Sequence, residues 1–591
     1  MRRSKTAIKR LFGILMSMIM ILGMMTTTAF AADGGAKITI TKGDDIKTDW
    51  KGMTVNAYMV LDQVNPDEKD SAKKQYTVTD EFKDFFNIDE VKEAFDGTQL
   101  VYLNYNNSTD RNCLVAGSTD TTESGGFQID NNAALDEKYP EADLISRMSS
   151  MGGQIGTFYT WIEKYIESKS LTTTLSITAG SDNTVGWTNL NEGYYALTFS
   201  KVPAGISVIQ GILVATPGSI DLKAEDLPLK KQVKPVDDKT DYAASATAAL
   251  GEALEYKITS KVPTLTDYGN LTEFVFTDTL VRQVVDSTSF ALKIGKVSAS
   301  RDKNSFKIDN TVVATLDLAS YGTVNDPTDT SKTVPGQKFT LTFETDVLEN
   351  YQDKGITLTY RASLTADAVN VNKNHVSLDY TNGPDDSELT ADTEVYTYGI
   401  EVQKTFSDAS TNYTGVNFKL YQDNEGTKGT QIALVGANGS YHVPVIDTET
   451  EQPESGSNAD LVLDSSGKLT ITGLDEGTYW LVETAAPDGF TVADPIQIVL
   501  VKNGETPSVL DASVSTAKYN GDITGTDLLT TVTEQDTTNI SLGKFTVLNQ
   551  KGFSLPSTGG AGTWMLTIGG ILLIAAAGGL YVIYRKKFAA K

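Results

Sequence analysis

Gly477-Thr478-Tyr479-Trp480-Leu481-Val482-Glu483-Thr484-Ala485-Ala486-Pro487-Asp488-Gly489-Phe490 is a short apolar run, rich in aromatic and β-branched residues, that ends on a carboxylate. Such residues fit a pleated surface, so the run reads as a strand. The block around it, residues 398–553, holds Phe418-Lys419-Leu420-Tyr421 and opens with Gly399-Ile400-Glu401-Val402-Gln403-Lys404-Thr405-Phe406. Alternation in that opening strand puts Ile400, Val402, Lys404 and Phe406 on one face, which turns a lysine inward. The block closes with Phe545-Thr546-Val547-Leu548-Asn549. A lysine on the opening strand, an acid midway and an asparagine on the closing strand therefore share one β-sandwich.

An ammonium and a carboxylate enclosed by apolar walls can exchange a proton, because desolvation lowers the lysine pKa and raises that of the acid. The neutral amine is a nucleophile. Held against the Asn549 carboxamide, Lys404 can attack the carbonyl while protonated Glu483 hydrogen-bonds the oxygen and carries protons to the departing ammonia. The resulting Lys–Asn isopeptide would close a loop of about 145 residues, which is about 5 kcal/mol in the chain-entropy treatment of cross-links. The residues alone leave two other readings open: a buried Lys–Glu pair, or a lysine whose head reaches water. Residues 474–490, together with Phe418-Lys419-Leu420-Tyr421, resemble the CnaB-type domain of Gram-positive surface proteins. That resemblance implies a spontaneous isopeptide bond in this triad.

Residues 229–395 repeat the pattern. Nearly every segment is short and alternating, as in Glu255-Tyr256-Lys257-Ile258-Thr259 and Phe339-Thr340-Leu341-Thr342-Phe343, which predicts an all-β sandwich. The parallel set is Lys231, Asp278 in Phe274-Val275-Phe276-Thr277-Asp278-Thr279-Leu280, and Asn374. Lys230 faces the other side, and a one-residue slip of register would exchange the two lysines. His375 reads as a strand-surface residue. The block resembles the CnaA-like middle domain of sortase-assembled pilins, with an aspartate as proton shuttle.

The first block, 32–222, reads as a β-domain with helical insertions. Strands are expected at Ile38 and Ile40, Val55 to Met59, Gly193 to Phe199 and Ile206 to Val214. Helical spacing relates Phe82, Phe85, Phe86, Val91 and Phe95, and again Leu144, Ile145, Met148, Ile155, Tyr159, Ile162 and Ile166. Lys42 and Glu192 lack the sequence setting for a third bond. Asp67, Glu68 and Asp70 read as solvated loop acids whose spacing fits no calcium loop. No metal or cofactor is expected.

The two ends carry addresses. Arg2, Arg3, Lys5, Lys9 and Arg10 precede an apolar stretch from 11 to 25 and then Ala29-Phe30-Ala31, the layout of a secretory signal peptide covering 1–31. At the other end, Leu555-Pro556-Ser557-Thr558-Gly559 precedes an apolar run from 564 to 584 and then Arg585, Lys586 and Lys587. Those 21 residues suffice, at about 1.5 Å each, to cross a hydrocarbon core of roughly 30 Å. The order resembles the LPXTG sorting signal of Gram-positive bacteria, which implies cleavage between Thr558 and Gly559 by a sortase and transfer of the threonyl acyl group to an amine.

Composition narrows the function. Loss of the five cations in front and the four behind Thr558 takes the formal charge from −26 to −35, which argues against nucleic acid as a partner. The single cysteine, Cys113, cannot brace a secreted chain with an internal disulfide, and no histidine lies near it in sequence to make it a nucleophile. Two histidines, with no H-E-x-x-H and no nucleophile elbow, argue against a surface hydrolase.

The expected organisation is thus mainly β: tandem Ig-like or CnaB-type sandwiches at 32–222, 223–397 and 398–553, between a signal peptide and a sorting signal with a transmembrane helix at 554–591. In that order the domains resemble the backbone pilin of Gram-positive sortase-assembled pili. The resemblance implies a non-enzymatic, wall-anchored subunit. Its partners would be pilus-specific and housekeeping sortases, identical subunits, minor pilins, peptidoglycan and host surface molecules. A lysine ending the first domain would accept the next subunit. The usual Tyr-Pro-Lys-Asn acceptor motif is absent; Lys223 is the first choice, with Lys230 and Lys234 as alternatives. A monomeric wall-anchored matrix-binding adhesin is the rival reading.

Overall fold

The computed structural model describes residues 36–588 except 45, 65–74, 83, 86–99, 106–110, 117–127, 130–154, 209, 223, 237–238, 265–270, 383–384, 411, 449, 451, 503–509, 517–522, 525–539 and 552–560. The signal segment, Asp67 to Asp70, Lys223 and the Leu555–Gly559 pentapeptide therefore lie outside the described residues, as does the stretch from Leu144 to Met148. The chain forms two compact units. One comprises residues 1–246, 253–362 and 373–394; the other comprises 247–252, 363–372 and 395–591.

The fold is mainly β. In the first unit, the strand Thr54–Val64 pairs with Gly193–Ser200 within an eight-stranded sheet. The opening strand Ala36–Thr41 runs parallel to Gly218–Asp221 in a smaller sheet. Ile38, Ile40, Val55, Ala57, Leu197 and Phe199 bury the inward half of their alternation together. Of the helical patterns, the helix Ile155–Ser168 forms, and a 3₁₀ turn covers Asp80–Phe82. The two meet: Tyr165 lies 5.6 Å from Phe82 and 5.4 Å from Phe85, centroid to centroid. Cys113 stands on the strand Arg111–Ala116 opposite Thr77 and Leu103.

Residues 229–394 build two facing sheets. One has the order Lys230–Pro235, Ala253–Lys261, Gly355–Leu364, Ala291–Ile294, Val297–Ser298. The other centres on Phe274–Val281, flanked by Val371–Asn382 and Asp329–Phe343. Its strands are longer than the sequence punctuation indicates, reaching 15 residues in Asp329–Phe343 and 12 in Val371–Asn382. The reason is that Pro335-Gly336 lies within a strand rather than ending one. Gly336 is needed there, since a Cβ would meet the Leu280 carbonyl oxygen at 2.3 Å.

In the second unit, Tyr398–Phe406 lies between Lys468–Leu474 and Ser541–Asn549, antiparallel to the first and parallel to the second. The facing sheet centres on Gly477–Ala485, between Asn417–Asn424 and Ile496–Lys502. Ile400, Val402, Phe418, Leu420, Leu481, Ile496 and Ile498 form the core between them.

The last helix, Ala561–Phe588, covers the apolar run at 564–584. Leu573 and Ile574 are about three-quarters exposed on it. Among the described residues no helix is long and apolar enough to cross a membrane.

Candidate functional site

Strand alternation puts two lysines into the interior, and in each case the fold delivers an acid and an asparagine to the same place. Lys404, Glu483 and Asn549 are all buried, and no part of the Lys404 or Glu483 side chain reaches solvent. Lys404 Nζ donates to Asn549 Oδ1. It also donates to the Val547 carbonyl at 3.2 Å and lies 3.6 Å from Glu483 Oε1. Asn549 Nδ2 donates to Glu483 Oε1 at 2.8 Å, and the Ala493 amide fixes the other carboxylate oxygen at 2.6 Å. Phe406 walls the amine, 5.5 Å from its ring centroid.

The middle site has the same members in a different frame. Lys231 Nζ donates to Asp278 Oδ2 and, at 2.7 Å, to Asn374 Oδ1; neither the Lys231 nor the Asp278 side chain has any exposure. Asp278 and Asn374 stand on neighbouring strands, with Leu280 opposite Asn374, while Lys231 comes from the facing sheet. Lys230 is exposed. Tyr256 and Tyr360 stack at 5.2 Å and lie 5.7 and 5.9 Å from the ammonium.

Burial decides the electrostatics at both sites. Desolvation pushes Lys231 and Lys404 each down to about 8, against the opposing pull of Asp278 and Glu483. Desolvation likewise raises Asp278 and Glu483 from their ordinary values, although the lysines oppose it. Both shifts narrow the gap between the ion pair and its neutral tautomer. An amine that can lose its proton thus sits in hydrogen-bond contact with a carboxamide.

The asparagine does not always stand on the last strand of its sandwich, as the sequence pattern implied. Asn549 does, but Asp385–Tyr396 follows the strand of Asn374. Sequence reading also missed Tyr360, Tyr256, Val547 and Ala493. The signal for Tyr360 was present: Ile356, Leu358, Tyr360, Ala362 and Leu364 alternate, and all are buried. Elsewhere, His375 pairs with Asp392 at 2.8 Å on the strand surface. Lys42 Nζ donates to the Thr48 carbonyl, and Glu192 accepts from Gln63 at 2.6 Å, so these two serve separate local contacts. Among the acceptor candidates, Lys234 lies 5.3 Å from the Tyr242 ring and Lys230 faces solvent. Among the described residues no group of acids, histidines and cysteine could hold a metal ion.

Residues 548–587 match the LPXTG cell wall anchor motif. The chain is a cell-wall-anchored surface protein. The motif implies processing by a sortase and attachment to peptidoglycan. Residues 399–513 match SpaA, a prealbumin-like fold domain, a span that includes Lys404 and Glu483, while Asn549 falls within the anchor match. No curated protein matches the chain. Among solved structures it is similar to the T6 backbone pilin of serotype M6 Streptococcus pyogenes, at 14% identity and a TM-score of 0.47, over 89% of this chain and 100% of that one. It is also similar to the Corynebacterium diphtheriae major pilin SpaA, at 12% identity and a TM-score of 0.44, over 87% and 100%. SpaD, another major pilin of C. diphtheriae, shows 15% identity and a TM-score of 0.41, over 89% and 99%.

Proposed function

We propose that the chain is the backbone subunit of a covalently polymerised surface pilus, braced by two intramolecular isopeptide bonds, Lys404–Asn549 and Lys231–Asn374. The observation that carries the reading is the contact of each buried lysine Nζ with an asparagine carboxamide beside a buried acid. Proton transfer from the ammonium to the carboxylate leaves a neutral amine. Attack on the carboxamide carbon then forms the new C–N bond, the C–Nδ2 bond breaks, and ammonia leaves with its third proton. Lysine amine plus asparagine carboxamide gives a secondary amide plus NH₃, so no oxidant or cofactor is required. These are single events within one chain rather than turnover.

Bonds of this kind suit a shaft. A subunit joined end to end by sortase carries tension through its own backbone, and a cross-link that closes about 145 residues shortens what can unravel. The apolar tail holds the chain at the membrane until a pilus-specific sortase takes Thr558 and joins it to a lysine of the next subunit, Lys223 for preference; the housekeeping sortase then attaches the finished polymer to peptidoglycan. Minor pilins and host surface molecules complete the set of partners.

The test is a denaturing gel of wall extracts. Wild-type cells are expected to give a high-mass ladder that Thr558→Ala abolishes. A wild type that runs as a single wall-linked species would replace the pilus with a monomeric anchored adhesin.

A further inference from the structure

The two acids differ by one methylene, and the two sites differ in how the acid reaches the nitrogen that must leave. Glu483 Oε1 accepts directly from Asn549 Nδ2 at 2.8 Å. Between Asp278 and Asn374 a phenol intervenes: Asn374 Nδ2 donates to Tyr360 Oη at 2.8 Å, and Tyr360 Oη donates to Asp278 Oδ2 at 3.0 Å. Tyr360 is 1% exposed, and its ring is held by Tyr256, Phe290 and Phe339 at centroid distances of 5.2, 5.4 and 5.0 Å. The hydroxyl therefore has a fixed position between acid and amide. Tyr256, the other phenol here, donates to Gln283 Oε1 and also meets the Asn374 side chain, but Asp278 acts on it only through its charge, so it does not bridge acid and amide. Asp278 Oδ1 is buried without a hydrogen-bond partner among the described residues, which makes the ionised carboxylate costly and its protonated form favoured.

We infer that Tyr360 is a catalytic residue of the middle domain, relaying a proton from Asp278 to the departing nitrogen of Asn374. The inference rests on the isopeptide reading above. Before attack, the amide nitrogen has no lone pair to offer, so it donates to Tyr360. Once Lys231 has taken its place on the carbonyl carbon, Nδ2 becomes a tetrahedral amine with a free lone pair. Protonated Asp278 gives its proton to Tyr360 Oη as the phenol gives its own to Nδ2, the C–Nδ2 bond breaks and NH₃ departs. The excess proton on the attacking Lys231 nitrogen returns to Asp278. The phenol ends as it began, and the balance is one amide formed, one amide lost and one ammonia released.

Tyr360→Phe in the mature chain keeps the ring and removes only the link. Peptide mapping by mass spectrometry at successive times after synthesis follows the Lys231–Asn374 cross-link, with Lys404–Asn549 in the same molecules as an internal reference. The expected result is a middle bond that forms ~100-fold more slowly, or not at all, beside a third-domain bond at the wild-type rate. Thermal unfolding of Tyr360→Phe in a Lys231→Ala background should stay cooperative and fall below that of Lys231→Ala alone by no more than the lost phenol hydrogen bonds account for, which excludes a packing defect. A middle bond formed at the wild-type rate in Tyr360→Phe overturns the relay and leaves the isopeptide reading intact. A wild-type chain without the Lys231–Asn374 bond overturns both.

Discussion

Lys404 and Asn549 meet within a single sheet, on adjacent parallel strands whose register sets Lys404 opposite Val547 and Phe406 opposite Asn549. The amine reaches forward by two residues to the carboxamide, and Glu483 approaches from the facing sheet. Lys231 and Asn374 instead face each other across two sheets. The first bond would lock the opening and closing strands of the block, neighbours within one sheet, against shear; the second would clamp two sheets face to face.

Intact mass reads both bonds at once. The mature chain should weigh about 34 Da less than its translated formula, one ammonia of about 17 Da for each bond. Lys404→Ala and Lys231→Ala should each restore about 17 Da. A wild type at full formula mass would end the mechanism.

Glu483→Gln keeps the shape and the hydrogen bond to Asn549 but cannot take the Lys404 proton. The Lys404–Asn549 bond should then form ~100-fold more slowly or not at all, measured as retained ammonia in the third-domain peptides. Formation at the wild-type rate would remove the acid from the chemistry.

Asn549→Ala deletes the bond while sparing the Lys404–Glu483 pair. The third domain should lose about 5 kcal/mol, seen by calorimetry as a fall in its own unfolding transition, since the unfolded chain regains the loop entropy. An unchanged transition would mean that the cross-link is absent or carries no stability.

The same variant has a pH signature. Lys404 is held at about 8 in the fold against 10.5 in the open chain, so over that window the unfolded chain binds more protons and stability should rise with pH. Glu483 is raised above 4.5, so stability should fall as pH climbs through the range between its unfolded and folded values. Urea midpoints from pH 4 to 10.5 should therefore pass through a minimum. A steady fall above pH 8 would contradict the buried neutral amine.

Arginine substitution separates the candidate acceptors, because it keeps the charge and removes the amine nucleophile. Lys223→Arg should abolish the high-mass ladder on a denaturing gel, while Lys230→Arg and Lys234→Arg should leave it. A ladder that survives Lys223→Arg and disappears in one of the other two moves the acceptor to that residue.

Much of this was legible in the residues. The period-two pattern in Gly399 to Phe406 turned Lys404 inward, and the same pattern placed Lys231 rather than Lys230 at the interior position; both lysines are buried. Alternation decides such questions because a strand residue has only two faces to choose from. The pattern was silent on partners. Nothing in the spacing of Asp278 and Asn374 tells that one phenol stands between them, since Tyr360 enters from the facing sheet. Likewise, the Ala493 amide that fixes Glu483 is ten residues away along the chain and comes from beyond a turn.

The sequence by itself determined the sorting address, the β-class of the blocks and the inward lysines, because each is a local property of order, period or composition. Only the tertiary structure decided that Lys404 meets its asparagine within a sheet and Lys231 across two, and that an aspartate one methylene shorter than glutamate reaches its asparagine through Tyr360. Those distances depend on how strands distant in the chain pair and stack, and strand pairing is a long-range choice that no local period encodes.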